Sequence, residues 1–186
     1  MEKKNEISDL QSHTGVKVMR CYQCGKCTAG CVLASDMNYP PSYLMRLLQT
    51  GTKDNYEKIL SSNSIWLCLN CENCVGRCPM EIDIPKMMDY LRTQAIAYDK
   101  LHPDSKPIIA FHQSFLDSIK YTGRLYEMGL IAAFKARTFR LTQDLAIAPS
   151  MYLKGKLHLL PEKIKDRRGM KRIFAQTIEN VKTKNV

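Results

Sequence analysis

Apolar positions recur at helical spacing through most of this chain, and the breaks between them are marked by proline and glycine. In VLASDMNYPPSYLMRLLQTG, residues 32–51, the pair Pro40-Pro41 ends the preceding chain and opens a helix. Leu44, Leu47 and Leu48 form its apolar face and Gly51 closes it. A second helix is predicted over about 53–61, with Tyr56, Ile59 and Leu60 on one side, and Ser64 is the expected cap of the short segment SIWLC. Further on, Pro85 suits the first turn of a helix whose face carries Met88, Leu91, Ala95 and Tyr98. The stretch LHPDSKP, 101–107, reads as a break and a domain boundary. Helices are then predicted at roughly 107–122, 124–138 and 170–181. Gly123 separates the first two, Arg168-Gly169 precedes the last, and Ala148-Pro149 and Leu160-Pro161 interrupt what lies between. Residues 1–19, polar and mixed with Val16 and Val18 weakly extended, read as a lead-in strand or coil.

Cysteine changes this picture most. All eight cysteines fall in two runs, CYQCGKCTAGC and CLNCENCVGRCP, each spaced C-x2-C-x2-C-x3-C. That spacing is the bacterial ferredoxin-type arrangement for a [4Fe–4S] cluster, in which the fourth cysteine of each run ligates the other cluster. By that rule Cys21, Cys24, Cys27 and Cys78 hold one cluster, and Cys68, Cys71, Cys74 and Cys31 hold a second. Structural zinc takes cysteine pairs well apart in sequence, which two dense runs fit poorly. Disulfides need an oxidising compartment, and MEKKNE lacks the apolar core of a secretory signal. Cys78 is followed by Pro79, as the pattern expects, whereas Cys31 is followed by Val32.

The 36 residues between Cys31 and Cys68 are helical by period, whereas a hairpin-built ferredoxin would need alternating strands there. The predicted class is therefore all-α. Residues 1–100 form an α-helical ferredoxin domain with two [4Fe–4S] clusters, and 101–186 form a helical C-terminal extension that docks a partner. No internal repeat is evident beyond the cysteine runs.

Of the 186 residues 45% are apolar, enough for a core. Mean hydropathy is −0.30, and no stretch approaches the roughly 18 apolar residues of a membrane span. A soluble, cytoplasmic protein with no membrane contact is expected. The formal charge is +10; two oxidised clusters of about −2 each would offset part of it. Ten basic residues between Lys154 and Lys184 face only Glu162, Asp166 and Glu179. Without aromatic interleaving or a nucleic-acid motif, this stretch reads as a tail docking on an acidic partner, and no nucleic acid is expected.

Other residues carry less. His13, His102, His112 and His158 are scattered, which argues against metal ligation. Met80, Met87 and Met88 beside the second run read as core filling, with a dry shell around a cluster as the alternative. Lys26 and Arg77 inside the runs would raise cluster potentials if buried and do little if exposed. There is no catalytic residue set: no dinucleotide or Walker loop and no nucleophile elbow.

The two runs, YPPSYLMRLLQTG, CPMEIDIPKMMDYLR and FHQSFLDSIKYTGRLYEMGL together resemble the family of C subunits of heterodisulfide reductase, over about residues 18–150. The resemblance implies a non-catalytic electron-transfer subunit of an oxidoreductase in methanogenic archaea. Such a protein relays electrons from the flavin-containing subunit of the complex, which also carries iron–sulfur clusters, to the catalytic one. The catalytic subunit reduces the coenzyme M–coenzyme B heterodisulfide at its own CCG-type iron–sulfur clusters. The resemblance further implies flavin-based electron bifurcation at the FAD, and a nickel–iron hydrogenase or formate dehydrogenase as the electron source. The CCG modules of the catalytic subunit are absent, since this chain has no Cys-Cys pair. The competing readings are the iron–sulfur subunit of a quinone-linked dehydrogenase of the succinate, glycolate or glycerol-3-phosphate type, and a basic nucleic-acid-binding metalloprotein.

Overall fold

The computed structural model describes residues 6–139, 148–155, 161 and 164–179. All regular structure among them is helical. The chain divides into two compact units, Met1–Ser105 and Lys106–Val186. No helix among the described residues is long and apolar enough to cross a membrane.

The first unit begins with a helix, α1 (Glu6–Thr14), where a strand or coil is expected from sequence. Glu6 and Asp9 sit in its first turn and His13 in its last, a charge order that complements the helix dipole. Leu10 is fully buried, and Gly15, at φ +72°, ends the helix. One buried leucine is too faint a period to announce a helix in a polar stretch, and packing against a later helix decides the matter.

Helix α2 is a single turn, Lys26–Ala29. Helix α3 (Pro41–Thr50) starts at its proline and ends at Gly51, whose φ of 64° lets its N–H reach the Leu48 carbonyl. Helix α4 (Lys53–Leu60) is capped by Thr52, which accepts from the Asn55 N–H. The one-turn helix α5 spans Ser64–Leu67. Ser64 does not cap it; its hydroxyl accepts the Tyr39 N–H at 2.7 Å instead, tying the chain after the first cysteine run to the entrance of the second. Another single turn, α6 (Asn73–Gly76), precedes α7 (Ile84–Ala97), which has Pro85 in its first turn and Asp83 accepting the Lys86 N–H.

Helix α7 is the spine of this unit. Helices α1, α4 and α5 all pack on it, and α3 packs on α4. Leu44, Leu48, Ile59, Ile65, Met88 and Leu91 are all at most 2% exposed. Each such side chain contributes about 1.5–3 kcal/mol by leaving water. Tyr98, expected on the buried face, lies one residue past the helix and is 61% exposed.

In the second unit α8 (Lys106–Thr122) packs against α9 (Glu127–Thr138). Gly123, at φ +82°, turns the chain between them, and the Ile164 side chain lies against it. Helix α9 starts three residues later than the pattern predicts. The Thr122 hydroxyl donates to the Arg124 carbonyl, and the Ser118 hydroxyl accepts the Tyr126 N–H, so 124–126 serve as a link. Ala148-Pro149 opens a helix, α10 (Ala148–Leu153). Helix α11 (Arg167–Phe174) begins ahead of Gly169 because Asp166 caps it by accepting the Gly169 N–H at 2.8 Å. A π turn, Ala175–Glu179, continues it. Residues 180 and 181 of the predicted helix, and much of the basic end, lie outside the described residues.

Two substitutions test this packing by denaturant unfolding. Leu91→Ala should cost about 2–5 kcal/mol, because it opens a cavity in the spine. Trp66 is 8% exposed, yet its indole N–H has no hydrogen-bond partner among the described residues. Trp66→Phe should therefore cost less than Leu91→Ala, since no hydrogen bond is lost.

Candidate metal centre

The two cysteine runs fold as copies of one loop. A short 3-10 turn, Val18–Arg20, leads into Cys21, and α5 leads into Cys68. Two residues past each of these cysteines the backbone turns left-handed, at Gln23 (φ 63°) and Asn70 (φ 51°). Two residues further it does so again, at Gly25 (φ 77°) and Glu72 (φ 60°). A single helical turn follows each, α2 or α6. The closing bonds also match: the Cys31 N–H donates to the Thr28 carbonyl at 3.0 Å and the Cys78 N–H to the Val75 carbonyl at 3.0 Å. Alternating left-handed residues curl a loop so that successive N–H groups line a concavity suited to an anion or an iron–sulfur centre. Three of the four positions are not glycine, and each such residue costs about 1–3 kcal/mol.

Supporting helices complete the copy. Gln49 is the ninth residue of α3 and Arg92 the ninth of α7. Gln49 Nε2 donates to the carbonyls of Cys21 at 2.6 Å and Val18 at 3.3 Å. Arg92 donates to the carbonyls of Cys68 and Ile65, each at 2.5 Å. Both helices therefore grip the first cysteine of a run and the residue three before it. The repeat, which the sequence displays only in the cysteine runs, extends through these helices. Neither Gln49 nor Arg92 is singled out by sequence reasoning. The available signal is a polar residue four positions after a core methionine, Met45 or Met88, on an apolar helix face.

Helices α2 and α6 pack against one another, bringing the runs together. One pocket is lined by Cys31 together with Cys68, Cys71 and Cys74, and walled by Val32, Met37, Ile84 and Met88. Cys78 lies elsewhere. With Cys24 and Cys21 it acts on the Tyr22 hydroxyl, whose pKa is raised by partial desolvation and by these three thiols. Cys24 and Cys71, the second cysteine of each run, are exposed, and the other six are half-buried. Lys26 and Arg77 are exposed, Arg77 lying along Gly30. Among the described residues no three Cys, His, Asp or Glu side chains stand close enough to share one metal ion.

Burial pushes the Cys74 thiol up to about 11, with the neighbouring Cys68 adding to it. Burial also raises Cys68, against the pull of the Asn70 N–H and the Arg92 guanidinium. Cys27 is raised by burial and drawn back by the Thr28 N–H. Sulfurs that are desolvated yet faced by N–H donors suit thiolates bound to a cluster, whose charge such donors stabilise. The donor set fits the chemistry.

Residues 17–82 match the 4Fe-4S dicluster domain. With the eight cysteines, this match supports two [4Fe–4S] clusters. Among curated proteins, part of the chain is similar to the C iron-sulfur subunit of CoB–CoM heterodisulfide reductase from Methanopyrus kandleri. The identity is 36% over 84 residues, 42% of each chain. The C subunit of the H(2):CoB-CoM heterodisulfide,ferredoxin reductase of Methanothermobacter thermautotrophicus is 30% identical over 102 residues, 55% of this chain and 54% of that one. The C 2 iron-sulfur subunit of CoB–CoM heterodisulfide reductase from Methanocaldococcus jannaschii is 33% identical over 78 residues, 42% of this chain and 40% of that one. The chain thus spans about half the length of the curated relatives it matches.

The loop geometry makes a pair of opposite predictions for thermal unfolding of the dicluster protein under argon. Glu72→Gly should raise the midpoint and Gly25→Ala should lower it, each by the equivalent of about 1 kcal/mol, because only glycine holds the left-handed turn without strain.

Proposed function

We propose that this chain is the electron-transfer subunit of a heterodisulfide reductase, with Cys21, Cys24, Cys27 and Cys78 holding one cluster and Cys68, Cys71, Cys74 and Cys31 the other. The observation that carries the reading is the pairing of two matching loops in which the last cysteine of the first run lines the pocket of the second. When bound, each [4Fe–4S] cluster supplies one-electron redox chemistry. The protein's own residues do the rest. Cysteine sulfurs hold the metal, and left-handed loops aim N–H groups at them. Met88 and Ile84 keep one wall dry, and Cys24 and Cys71 bring each site to the surface. Packed loops keep the sites side by side.

On this reading the partners are a flavin-containing subunit, which feeds electrons in, and a catalytic one, which reduces the heterodisulfide of coenzymes M and B. A nickel–iron hydrogenase or a formate dehydrogenase stands further upstream. The names of the similar proteins, each a C subunit of such a reductase, support that context. So does the lack of any catalytic motif in the chain itself. Thiolate ligands kept reduced favour the cytoplasm. Residues 1–100 act as the cluster domain and 101–186 as the part that docks on a partner.

Crossed ligation has a direct test by anaerobic iron and sulfide analysis with electron paramagnetic resonance. Cys24→Ala and Cys78→Ala should abolish the same cluster signal, and Cys31→Ala and Cys71→Ala the other, each with about half the iron lost. If Cys78→Ala instead removes the signal lost in Cys71→Ala, each run serves its own cluster. In the assembled complex Cys24→Ala should also stop electron flow to the heterodisulfide site.

The docking role is tested separately. Removing residues 154–186 should weaken association with the co-purifying proteins while leaving iron content unchanged. Unaltered association would deprive this basic segment of the role.

A further inference from the structure

The two loops are copies, but their supports differ in charge. At the first site the carbonyls of Val18 and Cys21 are held by a neutral amide, Gln49, which in turn accepts from Gln23 at 2.8 Å. At the second, the equivalent carbonyls of Ile65 and Cys68 are held by a guanidinium, Arg92. We propose that Arg92 makes the two cluster sites electrically unequal, raising the reduction potential at the Cys68 site above that at the Cys21 site, so that a passing electron rests on the Cys68 side. This rests on the ligand sets proposed above.

The physical argument concerns where charge sits. Reduction adds one electron to a site without making or breaking a bond, so a fixed positive charge nearby favours the reduced form. Arg92 keeps its charge at all working pH values. Its side chain is only 22% exposed, so solvent and salt screen its charge less than that of a fully exposed cation. Lys26, Arg77 and Arg20, the other cations in or beside the runs, are all exposed.

Four features work against Arg92. Glu72, a carboxylate where the first loop has Gly25, lines the Cys68-side pocket, but it is exposed and screened by solvent. Asp89 pairs with it at 2.9 Å, but that carboxylate is 55% exposed, so solvent screens it more strongly than the guanidinium. Asn70, whose amide N–H groups are committed to Asp89, turns its oxygen toward Cys68 Sγ at 3.5 Å. Gln23 turns an N–H toward Cys21 Sγ at 3.6 Å. These are neutral dipoles at long range, and a dipole's field falls faster with distance than a charge's. The charge wins.

The test is a mediated dithionite titration of the full chain, purified anaerobically with both clusters and followed by electron paramagnetic resonance. Wild type should reduce in two steps. In Arg92→Gln, which copies the first site, the upper step should move down toward the lower one, while Arg92→Lys should keep most of the separation. Asp89→Asn, at an exposed position, removes the countercharge and should move the upper step further up. It decides the matter by itself should Arg92→Gln lose its cluster. An upper step that stays put in both variants, or a lower step that moves in its place, overturns the proposal while leaving the cluster assignment standing. A wild-type protein without two reducible clusters overturns the assignment and the proposal together.

Discussion

Everything in the first unit answers to one constraint: eight sulfurs must be gathered at the ends of helices without leaving the backbone between them unsatisfied. The solution is a loop with two left-handed turns, used twice. Such a loop holds few hydrogen bonds of its own and stores strain at Gln23, Asn70 and Glu72. It persists because its rim is fastened from outside. The Thr28 hydroxyl accepts the Ser42 N–H at 2.9 Å, joining the first loop to the start of α3. Gln49 and Arg92 clamp the entrances. Asn38 and Asn63 exchange side chain-to-backbone bonds at 2.8 Å each, locking the exit of the first half to the approach of the second.

These fasteners explain why the core lies where it does. Helix α7 carries both Met88, which walls the sulfur-lined pocket, and Arg92, which holds the Cys68 entrance. Its burial against α1, α4 and α5 is therefore what fixes the position of the second loop. Hydrophobic burial supplies the free energy, and a few polar bonds convert it into geometry. A loss in the spine would be felt at the sulfurs.

The cysteine runs are legible in the sequence because ligand spacing is a local property, written within eleven residues each. Helices α3, α4 and α7 are legible because their apolar faces agree with signals at their ends: Pro41 and Gly51 for α3, the Thr52 cap for α4 and Pro85 for α7. Helix α1 is not, since one deeply buried leucine in a polar stretch acquires meaning only from α7. Ser64 misleads for a related reason: a serine before an apolar run looks like a cap, and its true partner, Tyr39, is 25 residues away. The wider repeat stays hidden because Gln49 and Arg92 share a position and a task but no side-chain chemistry.

A relay built from two equal halves would have no preferred direction, since each half would attract an electron as strongly as the other. Direction can arise only where the copies differ. In this chain the backbone of the loops, the exposure of the second cysteine and the position of the supporting residue are all duplicated. The Gln49–Arg92 exchange instead places a charge on one side alone. Fold and polarity are thus separable. The repeated backbone brings the two sites together, and the partly buried Arg92, set one turn beyond a buried methionine, is the asymmetry proposed to separate their potentials.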